Sequence, residues 1–561
     1  MSRPVIVVVV VGGAAATMRN GVFLSQQRRL LLQKNPFHRL LTKRGISNRV
    51  VSSHPSWIHN ESSSSTSTST STTNGGSGSH DAGRQYTNLS PRSGNSLGEV
   101  IIPSRNDIDR AVDLASNAFE TDWSRLSATE RCDCLRAIAS AMRDNTARLV
   151  ETEALDTGIP VSQIRDGHIP AAIDTLEYYA SLVSSGGLEG RIIDSPHAGG
   201  HRDSFSYTRR EPLGVCAGIG AWNYPLSGMM WKVAPALACG NTMVFKPSEC
   251  TPLSALTVAE LTKDILPPSV LQVLTGAGSV AEQLIANPTV RKVSVTGSVP
   301  TGKKVAKQAS DTVKRVTLEL GGKSPLLVFD DSDFGSAIRV AAQGNFVNNG
   351  QVCSNCTRVY VQRTILEQFV DETMRLVADH TVVGDNMEEG ITIGPVMMHP
   401  FDPSGQYNKI TGMIQRAIDD PNVDLLHGGR YYERDGGFYV EPTIFLSHRD
   451  DTEIVTEEIF GPVMTILSFD TEEEVIQRAN ASPYGLAAGV MSRNASRAHR
   501  VAKKLEAGVV FVNNWNLSPV EVPFGPSKNS GYGDELGPEA LWEYTQVKTV
   551  YMEMGGVDSM W

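Results

Sequence analysis

Leu213-Gly-Val-Cys-Ala-Gly-Ile219, Thr242-Met-Val-Phe-Lys246, Val270-Leu-Gln-Val-Leu-Thr275, Lys292-Val-Ser-Val-Thr296 and Arg315-Val-Thr-Leu-Glu-Leu320 are short, β-branched runs inside residues 213–320. Between them Leu226–Cys239, Leu253–Leu266 and Val280–Asn287 carry helical patterning. Strands alternating with helices predict an α/β fold with a parallel sheet and right-handed crossovers, in which ligands collect beyond the carboxyl ends of the strands. The loops leaving those ends are Gly220–Pro225, Pro247–Cys250, Gly276–Gly278 and Gly297–Gly302. A second strand-and-helix pattern covers residues 321–540.

Upstream of this region the pattern is helical. From Asn106, Ile108, Ala111, Val112, Ala115 and Phe119 recur at helical spacing behind an Asn/Asp cap, and more helix is expected to residue 185. Residues 62–79 are Ser, Thr, Asn and Gly throughout and cannot bury apolar surface, so 61–84 reads as a disordered linker and the folded body begins near 85.

Residues 1–60 hold nine Lys and Arg and no Asp or Glu, although the whole chain carries −10. A basic, acid-free start on an acidic body is expected to be a targeting segment. The stretch 28–44 suits a basic amphipathic helix of the mitochondrial type, which makes a mitochondrial address the expectation. Val5–Val11 followed by Gly-Gly-Ala-Ala-Ala also resembles a short secretory segment, so a bipartite signal and transit peptide for another organelle is the alternative. The apolar run is too short for a membrane span, which takes about 20 residues.

A chain of 561 residues, 40% apolar and 20% charged, fits a soluble multidomain enzyme, and its acidity argues against nucleic acid as a partner. Seven cysteines at irregular spacing suggest a reduced protein. With no second Cys pair beside Cys132 and Cys134, no metal site is expected and both are read as packing residues on a helix.

Seven motifs follow in order: Gly220-Ala-Trp-Asn-Tyr-Pro225, Lys246-Pro-Ser-Glu249, Gly297-Ser298, Glu319-Leu-Gly-Gly, Gly350-Gln-Val-Cys353, Glu457-Glu-Ile-Phe-Gly-Pro462 and Ser530-Gly-Tyr-Gly. Through them the chain resembles the aldehyde dehydrogenase superfamily. The resemblance implies a Rossmann-type NAD-binding domain (85–199 and 212–320), an α/β catalytic domain (321–542) and a small β oligomerisation flap (200–211 and 543–561). Members assemble through such strands, so a homodimer or homotetramer is expected.

The resemblance assigns Cys353 as nucleophile, and a soft thiolate suits attack on an aldehyde and later departure from a thioester. Asn223, with the Cys353 backbone N–H, would meet the developing oxyanion, an effect of about 3 kcal/mol per donor. Glu319 would activate the water that releases a free acid, which calls for a carboxyl raised by burial. Lys232 and Glu535 match a charged pair thought to relay protons away. Cys356 is read as packing, with a transient bond to Cys353 as the alternative.

NAD is the expected cofactor. Gly297 and Gly302 bracket a helix start whose N–H groups, with Ser298, can receive the pyrophosphate. Lys246, Ser248 and Glu249 lie just beyond a strand, where a Lys and a carboxylate can hold ribose hydroxyls and Glu249 repels a 2′-phosphate. By resemblance Glu458 and Phe460 hold the nicotinamide side, while Ile219, Gly220, Trp222 and Gly321 line the path.

The stretch Val512–Gly525 and the tail Lys548–Asp558 look most like betaine aldehyde and 4-trimethylaminobutyraldehyde dehydrogenases. A quaternary ammonium cannot donate hydrogen bonds and is best held by aromatic faces. Tyr224, Trp231, Trp515 and Phe524 are the candidates for such a cage, and an ordinary hydrophobic tunnel is the alternative. Val347 stands where plant members accepting betaine aldehyde tend to carry Trp, and Pro526 and Asp534 depart from the usual Gly-Gly-Tyr-Lys and Gly-Arg-Glu. The expected substrate is a small aldehyde with an amino or trimethylamino group. A general aliphatic aldehyde dehydrogenase, a CoA-acylating semialdehyde dehydrogenase and a noncatalytic binding protein are the alternatives. Glu319 opposes the second of these, and the presence of Cys353, Glu319 and Asn223 opposes the third.

Overall fold

The computed structural model describes residues 85–194 and 204–555. The expected targeting segment (1–60) and the whole of the expected linker (61–84) lie outside the described residues, as do 195–203 and the last six positions.

The five predicted strands form one parallel sheet, in the order Arg315–Glu319, Val290–Thr296, Val215–Ile219, Thr242–Lys246, Leu271–Val273. Val215–Ile219 and Thr242–Lys246 are buried throughout, which is why they read as unbroken apolar runs and not as alternating strands. From Val215–Ile219 the chain builds outward on one side, then returns to lay Val290–Thr296 on the other. The crevice at this reversal lies just beyond Ile219 and Thr296, which puts Gly220–Pro225 and Gly297–Gly302 at the ligand end of the sheet.

Helix Arg105–Thr121 covers this sheet with Ile108, Ala111, Val112 and Ala115 buried on its inner face. Its cap differs from the expected Asn/Asp. Ser104 accepts from the Asp107 N–H while the Asp107 carboxylate reaches back to the Ser104 N–H, a reciprocal capping box. Helices Ala128–Asp144, Thr146–Thr157 and Ile169–Ser184 complete the upstream half, and Cys132 and Cys134 are buried packing residues on the first of them.

The second sheet has seven strands in the order Val423–His427, Thr443–Ser447, Val463–Phe469, Arg358–Gln362, Pro325–Val328, Ala487–Met491, Val509–Val512, parallel except at the first edge. One short strand crosses the expected boundary. Gly531–Tyr532 lies inside 321–542, yet pairs antiparallel with Leu318–Glu319 and becomes the edge of the first sheet. Edge pairing satisfies N–H and C=O groups that Arg315–Glu319 would otherwise leave open. A third sheet joins Ile192–Asp194, Phe205–Pro212 and Thr545–Met552, all antiparallel. Among the described residues no helix is long and apolar enough to cross a membrane.

Candidate active site

Glu319 is the last residue of its strand, and the chain then passes through Gly321 and Gly322 directly under the Cys353 loop. A Cβ on Gly322 would stand 2.6 Å from the Cys353 carbonyl oxygen, and one on Gly321 would stand 2.4 Å from Glu458 Oε2. At Gly322, against backbone, only glycine permits this approach. In its place Gly322 N–H donates to Glu458 Oε1 at 2.9 Å, tying the strand end to the opposite wall.

The turn before Cys353 is held by Asn348 and Asn349, both in the left-handed region at φ 59° and 56°. Asn tolerates that region better than most residues. Asn348 Nδ2 donates to the Asn223 carbonyl at 3.0 Å, and Asn349 Nδ2 donates to Gly158 and Pro395 carbonyls at 3.0 and 3.1 Å. The Asn223 amide in turn donates to the Gln351 carbonyl at 2.9 Å. One amide hydrogen is thereby fixed, and the second remains for a ligand.

Cys353 is the only one of the seven cysteines that is not buried. Burial of its surroundings, followed by the Glu319 and Glu458 carboxylates, pushes its thiol up to about 12. Glu319 is itself held well above the ordinary carboxylate range, by burial first and then by Glu535, against the pull of Lys232. Both Glu319 oxygens are buried without a protein partner. Glu319 thus lies near enough to disfavour ionisation of the Cys353 thiol. Cys356, by contrast, packs under helix Phe334–Phe346, where Asn345 Nδ2 donates to its sulfur at 3.3 Å.

Lys232 Nζ lies 2.7 Å from Glu535 Oε1 and donates to Thr296 Oγ1 at 2.8 Å, while Ser294 Oγ donates to the same Glu535 oxygen at 2.5 Å. Thus the charged pair bridges strand Val290–Thr296 and the C-terminal loop beneath Glu319.

On the dinucleotide side, Ser298 caps helix Val299–Ser310 and accepts from Thr301 N–H. A Cβ on Gly302 would strike Leu320, so this glycine seats the helix against the strand, whereas a Cβ on Gly297 would make only ordinary contact with Thr301 at 3.8 Å. Lys246 Nζ meets Glu249 Oε2 at 2.8 Å at the carboxyl end of its strand. Ser248 is buried and its hydroxyl accepts from Cys250 N–H, so it closes its own turn. Gly220 N–H donates to the Lys246 carbonyl, which keeps the first strand end beside the Lys246–Glu249 pair. Trp222 meets Phe460 edge-on at 5.1 Å, with Phe460 at φ 61°.

A cleft of about 480 Å³ opens between Ser298, Val299 and Pro300 on one wall and Lys409, Glu457 and Glu458 on the other. Helix N–H groups facing a Lys across such a space fit an extended diphosphate. Lys409 and Gln406, whose amide donates to the Phe460 carbonyl at 2.9 Å, were not singled out from the sequence. Their helix, Gly405–Asp419, carries no motif that separates them from surface residues.

Of the four cage candidates, Tyr224 stands near the thiol, and Trp231 and Phe524 form a ring pair of their own. Tyr224 is close enough for Cys353 to push its hydroxyl up, after burial, and Trp231 lies 5.4 Å from Phe524. Phe524 in turn exchanges both backbone hydrogen bonds with Glu535. Trp515 is a correction to the sequence reading. It is 1% exposed, packs on Phe511 at 5.4 Å and fills the space over Gly344 and Gly489, where no Cβ would fit. It belongs to the core beneath helix Phe334–Phe346. Behind Tyr224 stands a pair the sequence did not reveal: His168, with its ring 4.5 Å from Tyr224 and Nδ1 2.7 Å from Glu153 Oε1.

The model of the aldehyde dehydrogenase family matches residues 79–550. Betaine aldehyde dehydrogenase of Vibrio vulnificus strain YJ016 is 44% identical over 482 residues, spanning 85% of this chain and 96% of that protein. The NAD+ complex of an aldehyde dehydrogenase from Bacillus cereus superposes with a TM-score of 0.80 at 38% identity, covering 84% of this chain and 94% of the other. Betaine aldehyde dehydrogenase from Staphylococcus aureus, in complex with NAD+, gives 0.80 at 35% identity, over 85% and 93%.

Proposed function

The chain belongs to the aldehyde dehydrogenase family and is an NAD-dependent enzyme, and from that premise we propose that it oxidises a trimethylamino or amino aldehyde, of the betaine aldehyde type, to its carboxylic acid. The observation carrying the reaction is Glu319, buried beside Cys353 with both oxygens unpartnered.

The Cys353 thiol passes its proton to Glu319 as sulfur adds to the aldehyde carbon. The new oxyanion is met by the free Asn223 amide hydrogen and the Cys353 backbone N–H. Bound NAD supplies the hydride acceptor. The residues that would hold it are the N-terminus of helix Val299–Ser310, Lys246 and Glu249, with Glu458 and Phe460 at the other end. With hydride gone, Cys353 carries a thioester; Glu319, its first proton passed on to the Lys232–Glu535 pair, draws a second proton from water as oxygen adds to the acyl carbon and returns it to the sulfur as that leaves. The tetrahedral adduct then expels the Cys353 sulfur, and the acid leaves. Lys232 and Glu535, buried beneath Glu319, take the released proton onward.

Substrate identity is supported by the 44% identity to a betaine aldehyde dehydrogenase, by Tyr224 beside Cys353, and by a second pair of rings, Trp231 and Phe524, from the helix that follows Tyr224 and from the C-terminal loop. Each face over a quaternary ammonium contributes about 0.5–2 kcal/mol. NADH formation by the purified protein with betaine aldehyde, 4-trimethylaminobutyraldehyde, 4-aminobutyraldehyde and propanal tests this. Betaine aldehyde should also exceed its neutral isostere, 3,3-dimethylbutanal, in kcat/KM. A preference for propanal or the isostere refutes the cage.

A homodimer or homotetramer is supported by the apolar side chains Ile192, Val547 and Tyr551, exposed on the three-stranded sheet. Sedimentation of the purified protein decides this. The basic, acid-free first 60 residues support a mitochondrial address, to be tested by locating a tagged full-length chain.

A further inference from the structure

Glu249 is gripped from two sides. Lys246, on its own strand end, holds Oε2 at 2.8 Å. The second contact comes from far along the chain, where His399 Nε2 faces Oε1 at 3.5 Å. The tautomer follows from the loop itself. His399 Nδ1 accepts the Phe401 N–H at 3.2 Å, so in the neutral ring the proton sits on Nε2, the nitrogen on the Glu249 side.

The loop from His399 to Ser404 is built to hold that ring in place. Asp402 N–H donates to the His399 carbonyl, Gly405 N–H donates to the Asp402 carbonyl, and Pro400 and Pro403 limit the backbone between them. The Phe401 ring stands 5.6 Å from His399 and 5.4 Å from Tyr86. Tyr86 is buried and its hydroxyl has no protein partner. Burial would raise the Glu249 carboxyl, yet the facing His399 and the Lys246 ammonium outweigh it and bring it down to about 2. Glu249 therefore stays an acceptor with fixed direction.

We infer that His399 is a third member of the adenosine-ribose site and a specificity-determining residue for NAD, because it steers the Glu249 carboxylate to accept the ribose hydroxyls and bar a 2′-phosphate. A carboxylate held by Lys246 alone can swing about its χ angles. Held by both, it presents its remaining lone pairs to a diol and its charge to any phosphate, and the ordering cost is met before the cofactor arrives. The loop also runs directly into helix Gly405–Asp419, whose Lys409 lines the cleft beside Ser298 and Glu458. His399 thus links the ribose end of the site to the helix that faces the diphosphate cleft.

Titration of the purified full chain with NAD and with NADP, by calorimetry and without aldehyde, tests this for wild type, His399→Ala and His399→Gln. Removing the imidazole should weaken NAD by about five- to tenfold, a loss of about 1 kcal/mol, while leaving NADP within about twofold, so the preference narrows. His399→Gln, whose amide can donate to the same oxygen, should recover most of the NAD affinity. The effect should vanish when Glu249 is already Gln, because there is no carboxylate left to steer. His399 is one-third exposed, so His399→Ala should fold; if it does not, His399→Phe keeps the bulk without the donor and carries the same expectation. An NAD affinity within about twofold of wild type, or an equal loss for both dinucleotides, overturns the assignment.

Discussion

Lys232 Nζ and Glu535 Oε1 stand 2.7 Å apart with neither side chain open to solvent, and the second Glu535 oxygen has no partner. A buried pair of this kind gives little net stability when intact, but removing one member leaves an uncompensated charge. Its position beneath Glu319 makes it a control on the base. Glu535 raises the Glu319 carboxyl and Lys232 lowers it.

The two halves of the pair should therefore move the pH profile in opposite directions. Glu535→Gln keeps acceptors for Lys232 and Ser294 but removes a negative charge, so Glu319 titrates lower and the acidic limb of kcat shifts to lower pH. Lys232→Met removes the attraction, shifts that limb upward, and destabilises the fold by about 3–5 kcal/mol. Kinetics from pH 5 to 10 on both variants check this, and shifts in the same direction contradict the arrangement.

Glu319 itself predicts an opposition between activity and stability. Its folded-state carboxyl lies above the unfolded value, so its protonated form is favoured by folding. That contribution is intact below the unfolded value and is lost as pH rises through the folded one. Glu319→Gln should thus melt higher than wild type at alkaline pH, with the gap closing in acid. Turnover should fall by about 10²–10⁴. Melting curves at pH 5 and pH 9 test the stability arm, and an equal gap at both sinks it.

The raised Cys353 thiol makes a chemical prediction. With the free cysteine value near 8.5, most thiols are appreciably ionised at pH 8, whereas Cys353, pushed up to about 12, should alkylate slowly there. Glu319→Gln removes one of the carboxylates that raises it and should speed iodoacetamide inactivation. Cys353→Ala should form no NADH at any pH. Rapid inactivation of the wild type at pH 7, without NAD, contradicts the burial argument.

Trp515 shows where sequence reading stops. Five strands were legible because buried parallel strands are β-branched throughout, and Glu319 and Cys353 because their neighbours form motifs. An aromatic residue near the C-terminal loop does not declare its face: Trp515 is sealed inside the core, whereas Phe524 packs only against its edge and stays partly open beside Trp231. Asn348 and Asn349 gave no sign of their left-handed backbone, nor Gly531–Tyr532 of its pairing with Leu318–Glu319 far upstream, since those depend on distant partners. Trp515→Ala should consequently cost about 3–5 kcal/mol of stability by opening a cavity. Trp515→Phe should leave the ratio of betaine aldehyde to 3,3-dimethylbutanal activity unchanged, whereas Tyr224→Leu or Trp231→Leu should lower it. A drop in that ratio for Trp515→Phe returns this residue to the cage.

Asn223 carries the last expectation. Its amide is fixed on one hydrogen by the Gln351 carbonyl, and its own carbonyl is fixed by Asn348, so the free hydrogen is aimed without reorganisation. A donor preorganised in this way acts on the oxyanion and little on the neutral aldehyde, which places its whole effect in the transition state. Asn223→Ala should lower kcat and kcat/KM together by about 10²–10³, with KM for the aldehyde nearly constant. NAD affinity, measured without aldehyde, should not change. Asn223→Asp should be worse than Asn223→Ala, because it retains the shape but turns an acceptor toward the developing charge. A rise in KM with kcat intact would instead make Asn223 a ground-state contact, and the oxyanion role would fall to the Cys353 backbone alone.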